Sequence, residues 1–364
     1  MRKLLVALMV AALMLAWSQQ GAEPAHGFAN GNHQTLTTEA LPFIKDDVMA
    51  DINDEHAFNE VFGFLNDFEH FDNCVFSGAA AYINNQYTEP RDFFGAGGAV
   101  AELDPGSPQP FDATDEWGQL LHAAQDFYAH SNWADLSQTT LIDSGLNVWD
   151  GLAPYSIHDG AMMVQGEDET PNGWTLSRTG FVVTVDTGTA TYKGVISGTF
   201  GLADDCPDNV AVTHGDLNKD DTSSSNGTLY PAARALAIRQ TRHEFCRLVQ
   251  LVRNSYGQPG VDGLLEAWVK DDDTSQAQLH ALFVECGLEA APTATAAPTS
   301  TPPPSVGGIA EVVSGGESPL SASDGSPAAP YAALGGGLAA AVLAMAAGGW
   351  YARRRWLRGR RQNT

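Results

Sequence analysis

The stretch from Thr114 to Trp133 leaves a folded chain few choices, because it reads as a helix with no face for water. Trp117, Leu120, Leu121, Ala124 and Tyr128 recur at the three- and four-residue spacing of an apolar helical stripe. At about 100° per residue, His122, Asp126 and His130 fall within an arc of about 80° on the opposite side. A solvated face would carry Lys, Glu or Arg. This one carries Gly118, Gln119, Ala123, Ala129 and Trp133 around the three polar residues. Both faces are therefore expected inside the protein, where imidazoles and carboxylates need partners. Thr114 is placed as the N-cap, with Asp115 and Glu116 in the first turn, where the helix dipole favours acids.

The i, i+4, i+8 spacing sets His122 and His130 about 12 Å apart along the axis. One ion cannot bind both, but a carboxylate between them can bridge two ions. The pattern thus points to metal rather than to a hydrogen-bonded network alone. Matching donors occur elsewhere: His26 and His33 early in the chain, Asp51, Asp54 and His56 ahead of His70 and Asp72, and His214 later on. A set of only nitrogen and oxygen donors suits zinc or a similar ion in a hydrolytic site. Asp216, Asn218 and Asp220 resemble the start of a calcium loop. Asp221 stands where the turn glycine belongs and Gly227 where the bidentate glutamate belongs, which excludes an EF-hand and leaves only a looser calcium site open.

These residues carry a family resemblance. His122, Asp126 and His130 on one helix, His70 with Asp72, Asp54 upstream and His33 near the start resemble the zinc-dependent phospholipase C / P1 nuclease superfamily. The run from His122 to Trp133 is similar to its Het-C-like branch. The resemblance spans about 26–288 and is strongest at 122–133. It implies a single, mainly α helical bundle with two or three zinc ions that activate water for phosphodiester hydrolysis. It places His33, Asp54, His70, His122, Asp126, His130 and His214 among the ligands, with His26 as a further candidate at the mature N-terminus. Asp126 is then the bridging carboxylate and Asp54 the general base. The chain departs from the family in two places: the helix spacing is x3 where the phospholipases have x5, and His243 is followed at the fourth position by Arg247 rather than Glu.

The rest of the chain reads as packaging for that domain. Residues 1–22 form a secretory signal, with Arg2 and Lys3 ahead of an apolar run. Residues 289–330 are rich in Pro, Thr and Ser and are expected to form a disordered stalk. Residues 331–352 carry no charge and are long enough for a membrane span, and the six arginines that follow in 353–364 belong on the cytoplasmic side. The expected location is the outer face of the plasma membrane, in single-pass form, with a phospholipid or other phosphodiester beside the tether as substrate.

Eight of the 19 Lys and Arg residues lie in the first three positions and the tail. That leaves 11 against 44 carboxylates, a balance near −33, which argues against a nucleic-acid partner. Five of the 11 lie between Arg234 and Arg253 and are expected to pair with carboxylates. Cys74, Cys206, Cys246 and Cys286 predict two disulfides, with three pairings open. The spacing predicts helices over 35–43, 46–53, 56–66, 71–87, 114–136, 230–256, 260–270 and 274–286. The β-branched run at 181–192, with its Thr187-Gly188 turn, predicts a small hairpin insertion at 174–200.

Overall fold

The computed structural model describes residues 30–60, 67–94, 110–142, 155–158, 160–164, 171–200 and 206–289. They belong to one unit, Glu23–Thr293. The predicted signal, stalk, membrane span and basic tail lie outside the described residues, apart from Glu289 at the head of the stalk. Among the described residues no helix is long and apolar enough to cross a membrane.

Mainly helical structure with a small sheet is what the chain adopts. The helices are α1 (Asn30–Ala40), α2 (Asp46–Phe58), α3 (Asp67–His70), α4 (Phe76–Gln86), α5 (Thr88–Phe93) and α6 (Pro110–His130), then α7 (His214–Leu217), α8 (Tyr230–Trp268) and α9 (Asp273–Glu285). Helix α6 is the axis: α2, α3, α4, α5 and α8 all pack against it. Its two faces are both inside, as its sequence requires. Trp117, Leu120, Leu121, Ala124 and Tyr128 have no exposure, and neither do His122, Asp126 and His130.

The helix ends differ from expectation for local reasons. Helix α6 begins at Pro110 rather than at a Thr114 cap, and proline at a first helical position loses no hydrogen bond. It stops at His130 rather than Leu136 because the sheet takes over its backbone. Gly198 N donates to the His130 carbonyl (3.0 Å) and Asn132 N to that of Ile196 (3.0 Å). The predicted break at residue 53 is absent, since α2 runs on to Phe58. The predicted helix from residue 71 starts only at Phe76. Phe71, Asn73 and Cys74 sit in the left-handed region (φ 53°, 55° and 57°), which no helix can contain. The predicted gap between 256 and 260 survives as a kink, with Gly257 at φ 70° just ahead of Pro259.

The β region is larger than the hairpin expected. Strands β1 (Ile157–His158), β2 (Ala161–Met163), β3 (Thr175–Thr179), β4 (Val182–Asp186) and β5 (Thr191–Val195) form one sheet in the order β1-β2-β5-β4-β3. The hairpin turn at Thr187-Gly188 is where the sequence put it, but β1 and β2 add to the other edge, β2 running parallel to β5. Asn132 fastens this sheet to α6. Its amide donates to the Phe181 and Gly194 carbonyls and accepts from Ile196 N, each at 2.9 Å.

Both disulfides form, Cys74–Cys206 and Cys246–Cys286. Three of the clustered arginines pair with acids as expected: Arg234 with Glu39, Arg242 with Glu285, and Arg247 with Glu244 at 2.8 Å.

Replacing Asn132 by Ala strands two buried backbone groups and one partly buried one at the junction of helix and sheet. The expected cost is about 3 kcal/mol, from the usual 1–3 kcal/mol for each unsatisfied group less local rearrangement. A urea titration of the variant should show the midpoint falling with little change in slope; an unchanged midpoint would contradict this role.

Candidate metal centre

Among the described residues, three groups of buried side chains can hold a metal ion: His33, His56 and His122; His70, His122 and Asp126; and Asp72, His130 and His214. Five elements and their loops supply them. His33 comes from α1, His56 from α2, His70 from the end of α3 and Asp72 from the loop behind it, His122, Asp126 and His130 from α6, and His214 from α7. None is more than 5% exposed.

Asp126 stands at the centre. Its Oδ1 faces His33 Nε2 at 3.0 Å, and its Oδ2 faces His70 Nδ1 at 2.8 Å and His122 Nε2 at 3.2 Å. Glu60 adds a second carboxylate, 3.2 Å from His33 Nε2. The outer shell fixes the rings. Gln125 donates to Thr37 Oγ1 and Thr241 Oγ1, both at 2.9 Å, which turns its Oε1 toward His33 Nδ1 (2.7 Å). His33 therefore donates from Nδ1 and presents Nε2 to the carboxylates. His56 Nε2 is held by Thr37 Oγ1 at 2.9 Å.

Around the third group, His130 Nδ1 donates to the His70 carbonyl at 2.9 Å and His214 Nδ1 to Asp72 Oδ1 at 2.8 Å. Gly198 permits the approach of α7, since a Cβ there would lie 2.4 Å from His214 Cα. The strained turn at Phe71, Asn73 and Cys74 lies beside the donors Asp72 and His70. It is held by Cys74 N on Ser197 Oγ (2.8 Å), by Asn73 N on the Gly198 carbonyl (2.8 Å) and by the bond from Cys74 to Cys206. Unfavourable backbone kept in place by several contacts is a frequent mark of a working site.

Two features show that these donors suit cations. The first is a set of buried ring nitrogens without a hydrogen-bond partner: His56 Nδ1, His70 Nε2, His122 Nδ1, His130 Nε2 and His214 Nε2. Native interiors rarely leave such atoms unpaired, and a metal ion is one of the few species that satisfies them. The second is electrostatic. Burial opposes charge on His33, yet Asp126 and Glu60 push its pKa up to about 10. Burial opposes charge on His130 as well, and Asp126, Asp72 and Asp220 push its pKa up to about 10. Burial alone would push the Asp126 carboxyl up, but His122, His33 and His130 hold it well below the usual range. Burial and the nearby His33 push His122 down to about 4. The carboxylates thus demand positive charge at fixed points, which a proton or a metal ion can supply.

Most of the predicted donors meet here: His33, His70, His122, Asp126, His130 and His214. His26 lies outside the described residues. Asp54 is a correction. It is exposed on α2 and belongs to none of the three groups, whereas His56, two residues on, is buried among them. The periodicity of α2 gives the reason: Met49, Ile52 and His56 fall on its buried stripe at three- and four-residue steps, and Asp54 falls off it. Asp72, read with His70 in the sequence, also meets the centre, and Glu60 is a further carboxylate there that sequence reasoning missed. At the positions of the calcium reading, Asp216 is exposed and accepts from Thr213 Oγ1, Asn218 Oδ1 caps the backbone of its own loop, and Asp220 turns inward to His130.

Compared with known proteins, the chain matches no family model, no curated protein and no solved structure.

His56→Ala removes one donor and is expected to weaken zinc binding by about 100-fold or more, whereas Asp54→Asn leaves it unchanged. Competition against a fluorescent chelator measures both. Equal losses, or a larger loss for Asp54→Asn, would return Asp54 to the ligand set.

Proposed function

We propose that this protein is a metal-dependent phosphodiester hydrolase of phospholipase C-like type, with zinc as its metal. The observation that carries the reading is Asp126, a fully buried carboxylate whose two oxygens are divided between separate histidines, Oδ1 toward His33 and Oδ2 toward His70 and His122. That division is what a bridging ligand between two ions needs. It occurs on the helix whose sequence resembles the zinc-dependent phospholipase C / P1 nuclease superfamily. His33, His56, His122, His70 and Asp126 would hold two ions, and the group around His130 and His214 a third.

Bound zinc supplies Lewis-acid polarisation of a phosphoryl oxygen and activation of water for attack on phosphorus. The chain's own part is to fix the donors and set their charge. Gln125, Thr37 and Thr241 lock the tautomer of His33 and the ring of His56. Glu60, beside His33, is the acid placed to take up a proton in the role that the exposed Asp54 cannot fill. The acidic surface disfavours nucleic acid as substrate. A phospholipid headgroup beside the membrane span read in 331–352 fits the sequence better.

A second reading is a Het-C-like surface module that keeps metal for stability alone. The depth of the donors favours it, because none of the eight in the three groups is more than 5% exposed. Structural metal sites are closed, while catalytic ones keep a position for water or substrate.

Zinc-loaded protein assayed on a chromogenic phosphodiester and on phosphatidylcholine vesicles separates the two. The hydrolase reading predicts turnover that chelation removes and zinc restores. Asp126→Asn should lose more than one equivalent of metal and lower turnover by at least about 100-fold. Metal retained with no hydrolysis of either substrate would leave the structural module.

A further inference from the structure

The third donor group has an atom-level feature that proximity alone conceals. His130 and His214 each spend Nδ1 on a hydrogen bond, to the His70 carbonyl and to Asp72 Oδ1 respectively. Each leaves Nε2 buried without a hydrogen-bond partner. Asp72 therefore faces the Nδ1 side of both rings, 2.8 Å from His214 Nδ1 and 3.7 Å from His130 Nδ1. On the Nε2 side of His130 stands another carboxylate, Asp220, with Oδ1 at 3.6 Å. Its side chain is 7% exposed, and that Oδ1 has no hydrogen-bond partner. The His214 ring lies beside this pair, its centroid 4.1 Å from that of His130, so adjacent residues carry two imidazole nitrogens and a carboxylate oxygen that are buried without hydrogen-bond partners.

We infer that Asp220, with His130 Nε2 and His214 Nε2, ligates the third metal ion, and that Asp72 orients His214 from behind instead of binding the ion. This rests on the reading of the cluster as a metal centre. The chemistry suits zinc, which takes imidazole nitrogen and carboxylate oxygen together. A carboxylate behind a ligating imidazole is a recurrent outer-shell arrangement, fixing the ring's tautomer and strengthening its basicity. It also supplies a carboxylate where the late helix has none, since His243 is followed at the fourth position by Arg247 and not by glutamate.

The loop that carries Asp220 is built to hold it still. Lys219 has no exposure, and its ammonium donates to the carbonyls of Ser131 (2.8 Å) and Leu217 (2.7 Å) and lies 3.4 Å from Asp135 Oδ2. Asn226 Nδ2 donates to the other Asp135 oxygen at 2.7 Å. Asn32 Nδ2 donates to the Asp220 carbonyl (2.7 Å), and Asp220 N to Asn218 Oδ1 (2.8 Å). Burying a lysine is costly unless it is paired. Here it ties the Asp220 loop to Ser131, the residue after His130.

The test is the zinc content and affinity of Asp220→Asn and Asp72→Asn, by elemental analysis and chelator competition after stripping and reloading. Asp220→Asn should lose one equivalent and keep the others. Asp72→Asn should keep its full count, with the weakest site loosened about 10–100-fold. The reverse order, or full zinc in Asp220→Asn, overturns the assignment. If either variant fails to fold or both lose the ion, a zinc-edge anomalous map of the wild-type crystal decides. A peak with Asp220 oxygen within about 2.2 Å supports the assignment, and one bonded to Asp72 instead overturns it. Wild-type protein that holds only the two ions around Asp126 also overturns it while leaving the main centre standing. Wild-type protein without any zinc removes the metal reading itself.

Discussion

The structure depends on a negative charge placed where water cannot reach it. Asp126 has no exposure, and a carboxylate moved into such a site costs several kcal/mol unless positive charge meets it. His33 and His70, whose pKa values the carboxylates raise, bring that charge, and the neutral ring of His122 closes the third side at 3.2 Å. Those partners lie on α1, α3 and α6, so satisfying one carboxylate fixes how three segments of the bundle pack. The remaining donors extend the demand to α2 and α7. A core arranged this way is held by its buried polar groups as well as by its apolar residues.

The same constraint accounts for the least regular parts of the chain. Asp72 and His70 flank Phe71 in a turn where three non-glycine residues hold positive φ. Asn73 tolerates that path, but Phe71 and Cys74 have no local preference for it. It is maintained by bonds to Ser197 and Gly198 and by the bridge to Cys206. The sheet, joined to α6 through Asn132, supplies the far side of this clamp. Its place in the molecule is therefore at the end of the ligand helix, where it braces the loops that carry the third group of donors.

How far the sequence revealed this can be judged residue by residue. Helix α6 was legible because its two faces carry unlike residues and neither suits water, which is a property of local pattern. The kink at Gly257 and the Thr187-Gly188 turn were legible for the same reason, since glycine and proline act over short range. Asp54 was misplaced because a resemblance transferred a residue type without its helical phase; counting steps from Met49 and Ile52 would have pointed to His56. Asp220 was read with its sequence neighbours Asp216 and Asn218, yet its partner is His130, brought near only by the fold. Strands β1 and β2 were missed because two or three residues carry no readable period. What the sequence withheld was long-range pairing, not chemistry.

If Asp126 sits between metal ions, the folded protein must take up more than one. Native mass spectrometry of the folded protein, stripped and then returned to zinc, counts bound ions without reference to any activity. The expected result is a mass rise of two or three zinc ions per chain, with at least two bound together once loading begins. Folded protein that takes up no zinc at all would mean that the histidines around Asp126 are held by protons alone.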